Sequence, residues 1–114
     1  MINYSLNIPS TDTGYALTTL LLTALGQVPY NSLNLHATEV HLRWENNIVY
    51  LVPVPGTITT TTGTVPDHYG ELLDTTNRVV VLGPQSVGNP LALQDIVVAA
   101  SANDTKLHLL AYTL

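Results

Sequence analysis

The sequence predicts a mainly β protein: a β-sandwich or small barrel of antiparallel strands with one short N-terminal helix. Two observations lead to this prediction. Apolar segments separated by short stretches of Asn, Gly, Pro and Asp recur through most of the chain, and a single helical pattern precedes them. The length of 114 residues is that of one domain. We therefore expect one β-rich domain over 1–114, with the helix in segment 1–31 and the β core in 32–114.

The helix is the first predicted element. Asp12-Thr13 supplies an N-cap signal and Gly26 a C-terminal signal. The apolar run 17–26 is shorter than the ~20 residues that span a bilayer, and residues 1–19 contain no Lys or Arg, so we expect neither a signal peptide nor a transmembrane segment. Apolar residues at helical spacing mark the face expected to be buried: Leu17, Leu20, Leu21, Ala24 and Leu25.

The segment 32–44 alternates between apolar and polar residues, but the phase of the alternation changes along it. Leu33 and Leu35 lie on one parity, whereas Val40, Leu42 and Trp44 lie on the other. One extra residue between positions 36 and 39 would reconcile the two halves, so we predict a β-bulge there.

A tight turn is predicted after this strand. Asn46-Asn47 tolerates a positive φ and can return the chain as a hairpin. In that register Trp44 would face Val49 and Leu42 would face Leu51, and the four side chains would share one buried face.

The rest of the chain predicts strands and turns. The next strand is apolar on both parities, as if covered on both faces, while Pro53 and Pro55 indicate that part of it lies at an edge. In chain order we expect this strand over 48–55, a loop with one helical turn over 65–77, a buried strand over 78–83, a turn-rich connection over 84–90, and a second hairpin formed by 95–101 and 106–114.

Charge is scarce and unevenly placed. Charged residues make up 10% of the chain, against about 25% in an ordinary globular protein, and the net charge is −5. Only Arg43, Arg78 and Lys106 are basic, so we expect no direct binding to nucleic acid and none to a membrane. Cores of interfaces are depleted in charged residues, so some of the long uncharged tracts are expected to meet another chain. These tracts are residues 13–38, 46–66 and 79–94.

No catalytic, cofactor-binding or metal-binding motif is present. The absence of cysteine excludes thiolate metal sites. The four histidines (His36, His41, His68 and His108) lack the close spacing of metal ligands, although a cupin-like barrel could gather His36 and His41 with Glu39. Ser86 lacks a nucleophile elbow. We therefore expect no cofactor and no enzymatic activity.

The tract GTITTTTGT (56–64) is the least ordinary stretch of the sequence. Threonine is β-branched and suits an extended strand. A free edge strand is usually guarded by charge, and this tract carries none. We read it as an arm laid against a neighbouring subunit; the alternative is a hairpin arm paired within its own chain. The candidate interface residues are Thr57, Ile58, Thr59, Thr60, Thr61, Thr62, Thr64, Tyr112 and Leu114.

In general character the chain resembles small β-rich accessory proteins of bacteriophage particles, of the decoration or cement type. The neutral tract GTITTTTGT and the C-terminal segment IVVAASANDTKLHLLAYTL carry this resemblance. It implies a non-enzymatic structural subunit of a large homomeric assembly, located in the virion and assembled in the host cytoplasm. Its partners would be other copies of itself, a larger coat-protein lattice, or both.

Two alternatives from other classes stay open at this point. A β-sandwich module that binds a ligand or a carbohydrate would need exposed aromatic side chains in one patch, for which Trp44, Tyr50 and Tyr69 are the candidates. A small cupin-like metal enzyme would need three converging His or Glu ligands.

Overall fold

The computed structural model describes residues 1–10, 13–26, 34–47, 49–52, 56–57, 71–72 and 79–114. Within these residues, strands form two antiparallel sheets and one α-helix packs against them. The strands are β1 (Ile2–Ile8), β2 (Thr13–Ala16), β3 (His36–Arg43), β4 (Val49–Val52), β5 (Gly56–Thr57), β6 (Glu71–Leu72), β7 (Val79–Leu82), β8 (Leu91–Ala92), β9 (Val97–Ala100) and β10 (Thr105–Thr113); the helix α1 is Leu17–Ala24, and a 3₁₀ turn covers Leu93–Asp95.

The two sheets confirm the predicted fold class. Sheet 1 has the strand order β1-β10-β3-β7, and β8 also pairs with β3. Sheet 2 has the order β5-β2-β9-β4-β6. The arrangement is sandwich-like and is not a closed barrel. Inward side chains of both sheets, of α1 and of the 3₁₀ turn form the core: Leu6, Ile8, Leu17, Leu20, Leu21, Ala37, Val40, Leu42, Trp44, Val49, Leu93, Val98, Ala100, Leu107, Leu109 and Ala111.

The helix α1 ends as predicted but begins later. Gly26 has a φ of +76° and its backbone N–H donates to the carbonyl oxygen of Thr23 at 3.0 Å, which closes the last turn. The start is at Leu17, because residues 13–16 form β2 and pair with β5 and β9. Strand pairing therefore overrides the local capping signal. Leu17, Leu20 and Leu21 are buried as expected, whereas Ala24 and Leu25 are exposed.

The predicted β-bulge is present in β3. Thr113 pairs with Ala37 and the adjacent Tyr112 pairs with Glu39, so Thr38 is the extra residue. The bulge lets Ala37 on one side of it and Val40 on the other both point into the core, where both are completely buried.

Both predicted hairpins are wrong, because each connection crosses from one sheet to the other. The turn with Asn47 at a φ of 68° follows β3 in sheet 1 and leads to β4 in sheet 2. Trp44 and Val49 are both buried in the core, but they come from opposite sheets rather than from paired strands. Likewise, β9 belongs to sheet 2 and β10 to sheet 1. A tight turn serves equally well as a hairpin and as a corner between two packed sheets.

Two further strand predictions need correction. The segment 78–83 was expected to be buried, yet β7 lies at the edge of sheet 1 and exposes Val79 and Val81. The segment 65–77, expected to be a loop, contains the short strand β6. In contrast, Val49 and Tyr50 are both completely buried, as expected for a strand covered on both faces.

Candidate interaction surface

One edge of sheet 1 is built from a stretch of chain without charge. β7 pairs with the second half of β3, and β8 pairs with its first two residues, so both strands lie along the same side of β3. We call residues 79–92 the uncharged edge, because they comprise β7, the loop 83–90 and β8 and contain no Asp, Glu, Lys or Arg. One of the three uncharged tracts of the sequence thus folds into one continuous border of a sheet.

Apolar side chains on this border are open to solvent. Val79 is 44% exposed, Val81 is 45% exposed and Val87, in the loop, is 71% exposed. Among the described residues, no strand pairs with the outer side of β7. Natural edge strands usually carry a charge, a proline or a bulge that prevents pairing with another chain. β7 itself carries none of these guards.

The β-bulge of β3 fixes the position of the loop that follows β7. The carbonyl oxygen of Thr38 accepts a hydrogen bond of 2.7 Å from the backbone N–H of Gln85. Gly83 has a φ of +95°, and a Cβ added there would lie 2.5 Å from the same oxygen. The close approach of the two backbones therefore requires glycine at position 83.

The outer face of sheet 1 next to the edge combines apolar side chains with ionisable ones. Val81 lies opposite His41 on β3, and His41 lies opposite the half-buried Leu110 on β10. The ring of Tyr112, which is 41% exposed, contacts the imidazole of His41 edge-on with centroids 5.7 Å apart. The Nε2 atom of His41 lies 3.3 Å from a carboxylate oxygen of Glu39, yet it is buried without a hydrogen-bond partner among the described residues.

The predicted interface residues are placed in different parts of the fold. Tyr112 and Leu114 are exposed on sheet 1, and the backbone N–H of Leu114 donates to the carbonyl oxygen of His36 at 3.0 Å. Thr57 is in β5 and pairs with Thr13 of the same chain. The remaining candidates, Ile58–Thr62 and Thr64, lie outside the described residues.

The aromatic patch needed by a carbohydrate-binding module is not formed by Trp44 and Tyr50. Trp44 is 2% exposed and Tyr50 is completely buried, so neither ring can stack on a sugar. Burial raises the pKa of the Tyr50 phenol above its ordinary value of 10.0. Tyr69 lies outside the described residues.

The described histidines are placed on one face but do not form a metal site. The bulge at Thr38 brings His36 to the same outer face of sheet 1 as Glu39 and His41. Within the described part of the chain, however, no group of three or more His, Asp or Glu side chains could hold a metal ion. Ser86 lies in the exposed loop after β7, while His68 lies outside the described residues.

A polar groove of about 440 Å³ lies between the turn after β3 and the start of β10. It brings together two charged segments that are far apart in sequence, 43–45 and 104–106. The Nζ atom of Lys106 donates to the side-chain oxygen of Asn7 at 3.0 Å, and Asn7 in turn donates to Asp104 at 3.2 Å. These polar groups therefore satisfy one another within the chain.

Sequence reasoning missed the exposure of Val79 and Val81, because it treated 78–83 as interior. The uncharged tract 79–94 was the signal that could have identified them. The groove was missed because its lining depends on contacts between distant segments. Within the described residues, no helix has the length and apolar character needed to cross a membrane.

The chain was also compared with known proteins. No protein-family model matches it, and neither a curated protein nor a solved structure matches it.

Proposed function

We propose that this protein is a non-enzymatic structural subunit of a large homomeric assembly, of the kind that decorates or cements a bacteriophage particle. The uncharged edge of sheet 1 is the observation that carries the proposal. It combines a strand edge with exposed valines in a chain whose net charge is −5. In this role the protein acts through contacts between subunits and is located in the virion.

The distribution of charge supports self-association at this border. Copies that each carry a net charge of −5 repel one another as they approach. At residues 79–92 a second chain can approach without placing a carboxylate against a carboxylate. Interface cores are also depleted in Asp, Glu and Lys, because removing these charged groups from water is costly.

The mass of the protein in solution tests this proposal. Sedimentation at increasing protein concentration is expected to show species larger than the chain mass of 12.3 kDa. Isolation from the native source is expected to recover it together with a particle or a coat lattice. A protein that stays monomeric at every concentration and is recovered with no larger structure would contradict the proposal.

A further inference from the structure

We infer that β7 pairs with β7 of a second copy of this chain, in antiparallel orientation, about a two-fold axis that passes through Val80. This inference rests on the proposed function, since it requires self-association. It specifies which strand occupies the open side of β7.

The occupant is an extended strand because of the chemistry of a sheet edge. One side of β7 is hydrogen-bonded to β3, from Val79 opposite Arg43 to Leu82 opposite Val40. The backbone N–H and C=O groups on the other side have no strand partner among the described residues. Such a row of groups binds another strand by continuing the sheet.

The side-chain pattern selects the register. Residues that lie directly opposite each other in an antiparallel pair point to the same face of the sheet. Val79 and Val81 point outward, while Val80 and Leu82 are half-buried and point inward. Centring the pair on Val80 places Val79 opposite Val81 of the second copy. All four exposed valines then pack together on one face, and the contact is self-complementary, as a two-fold interface requires.

The charges beside β7 are compatible with this arrangement. Arg43 lies opposite Val79 and His41 lies opposite Val81 within one chain. Across the axis, each outer row would therefore contain Arg43, Val79, the second copy's Val81 and the second copy's His41. With strands about 4.8 Å apart, Arg43 and that histidine are separated by roughly 14 Å. No charged side chain faces a like charge in these rows.

The other edge of sheet 1 is less suited to this contact. The outward residues of β1 are Asn3, Ser5 and Asn7, which are polar. Their side chains are hydrogen-bonded to His108 and Lys106 of the neighbouring strand β10 and to Asp104, which precedes it. Tyr4, at 40% exposure, is the one large apolar side chain of β1 that is open to solvent, so β1 offers no row of exposed apolar residues for a second copy to cover.

The absence of cysteine from the chain allows a clean cross-linking test of the register. Val79→Cys and Val81→Cys chains, carrying different tags, are mixed and oxidised. A disulfide needs Cα atoms about 4.4–6.8 Å apart, which directly opposed residues satisfy. The mixture is expected to give a disulfide between the two tagged chains, while each variant alone gives little, because identical residues are diagonal neighbours. Val87→Cys, mixed with either variant, is the exposed control.

A charge substitution then tests the contribution of the contact to assembly. Val81→Lys is expected to weaken self-association by roughly tenfold or more in sedimentation, because lysine guards an edge strand and places a charge in the same outer row as the second copy's Arg43. Leu25→Lys, at a similarly exposed apolar position after α1 and outside the uncharged edge, is the matched control and is expected to leave association unchanged. Circular dichroism of both variants is expected to match that of the parent, since both side chains are exposed.

The outcomes separate this inference from the proposed function. A parent protein that never self-associates and is recovered with no larger structure overturns both, whereas one that stays monomeric in solution but is recovered with a larger coat lattice overturns only the β7 pairing. A parent that assembles, with Val81→Lys equally assembled and no mixed disulfide, overturns only the β7 pairing. Cross-linking of Val81→Cys to Thr59→Cys in another chain would also overturn it, because the threonine tract would then occupy the edge.

Discussion

The backbone N–H of Gln85 donates a 2.7 Å hydrogen bond to the carbonyl oxygen of Thr38, and this bond joins the loop after β7 to the bulge of β3. Gly83 makes the approach possible, with a φ of +95°. Gly83→Ala is expected to lower the free energy of unfolding by about 2 kcal/mol or more, because the new Cβ strains the backbone and collides with that oxygen. Chemical denaturation measures the loss.

Gly88→Ala, in the same loop, is the matched control. Its φ is not positive and a Cβ added there meets no atom within 4 Å. Alanine at a compatible glycine position reduces the entropy of the unfolded chain, so the free energy of unfolding is expected to stay equal or rise by about 0.4–1 kcal/mol. Equal effects of the two substitutions would contradict the close approach at Gly83.

The buried face of α1 gives a second prediction. Leu21 is 1% exposed in the core, so Leu21→Ala is expected to cost on the order of 2–5 kcal/mol of stability. Leu25, one turn later, is 42% exposed, and Leu25→Ala is expected to change stability by less than about 0.5 kcal/mol. Thermal and denaturant unfolding of both variants distinguish these faces, and a stable Leu21→Ala protein would refute the packing of α1.

The end of β10 is expected to be essential for folding. Residues 110–113 pair with β3, and Leu110 and Ala111 also pair with β1, so deletion of 110–114 removes pairing on both sides of a central strand. Loss of the folded state should appear in the near-ultraviolet circular dichroism and in the expression yield. Deleting Leu114 alone, whose side chain is 63% exposed, is expected to preserve the fold. A folded, normally assembled 110–114 deletion would show that this end is dispensable.

The burial of Tyr50 leads to a prediction of how stability changes with pH in the alkaline range. Its pKa is raised by burial above 10.0, so above about pH 10 the unfolded chain releases a proton that the folded chain retains. The contribution of Tyr50 to the free energy of unfolding is fully present below about pH 10, and it falls as the pH rises through the raised pKa. Tyr50→Phe is expected to reduce the slope of the unfolding free energy between about pH 10 and 11, whereas the exposed Tyr112→Phe serves as control. Identical slopes for all three proteins would argue against a buried phenol.

The interpretation of the threonine tract as an intersubunit arm stays a prediction. Thr59→Lys combined with Thr61→Lys is expected to reduce the size of the assembly, as seen in sedimentation, while circular dichroism stays that of the parent. Thr19→Lys combined with Thr23→Lys, at exposed positions of α1, is the control. Unchanged assembly, or unfolding of the tract variant, would favour a hairpin arm within one chain.

Features determined by nearby residues could be predicted from the sequence. The end of α1 at Gly26 and the bulge at Thr38 both follow from local patterns, a helix-stop residue and a change in alternation. The positive φ of Asn47 could also be predicted from the sequence. The sheet to which the next strand belongs could not be predicted, because β4 pairs with β9 and β6, which lie far along the sequence.

For the candidate surface, the lack of charge could be predicted from the sequence, but the exposure of its valines could not. The lack of charge over residues 79–94 is visible in the sequence and indicates a contact with another chain. Whether Val79 and Val81 are interior or exposed depends on which strand pairs with β3, and β10 and β7 take its two sides. That choice is made by the whole fold rather than by the tract itself.

The pairing of β1 with β10 has a consequence for the timing of folding. Ile8 pairs with Thr105 and Ile2 pairs with Ala111, so β1 cannot complete its pairing until β10 has been synthesised. At roughly 5–20 residues per second, about 5–20 s pass on the ribosome before β10 follows β1. Because β10 also separates β1 from β3, sheet 1 can be completed only after β10 has been synthesised. We expect sheet 1 to form slowly, since these contacts are distant in sequence.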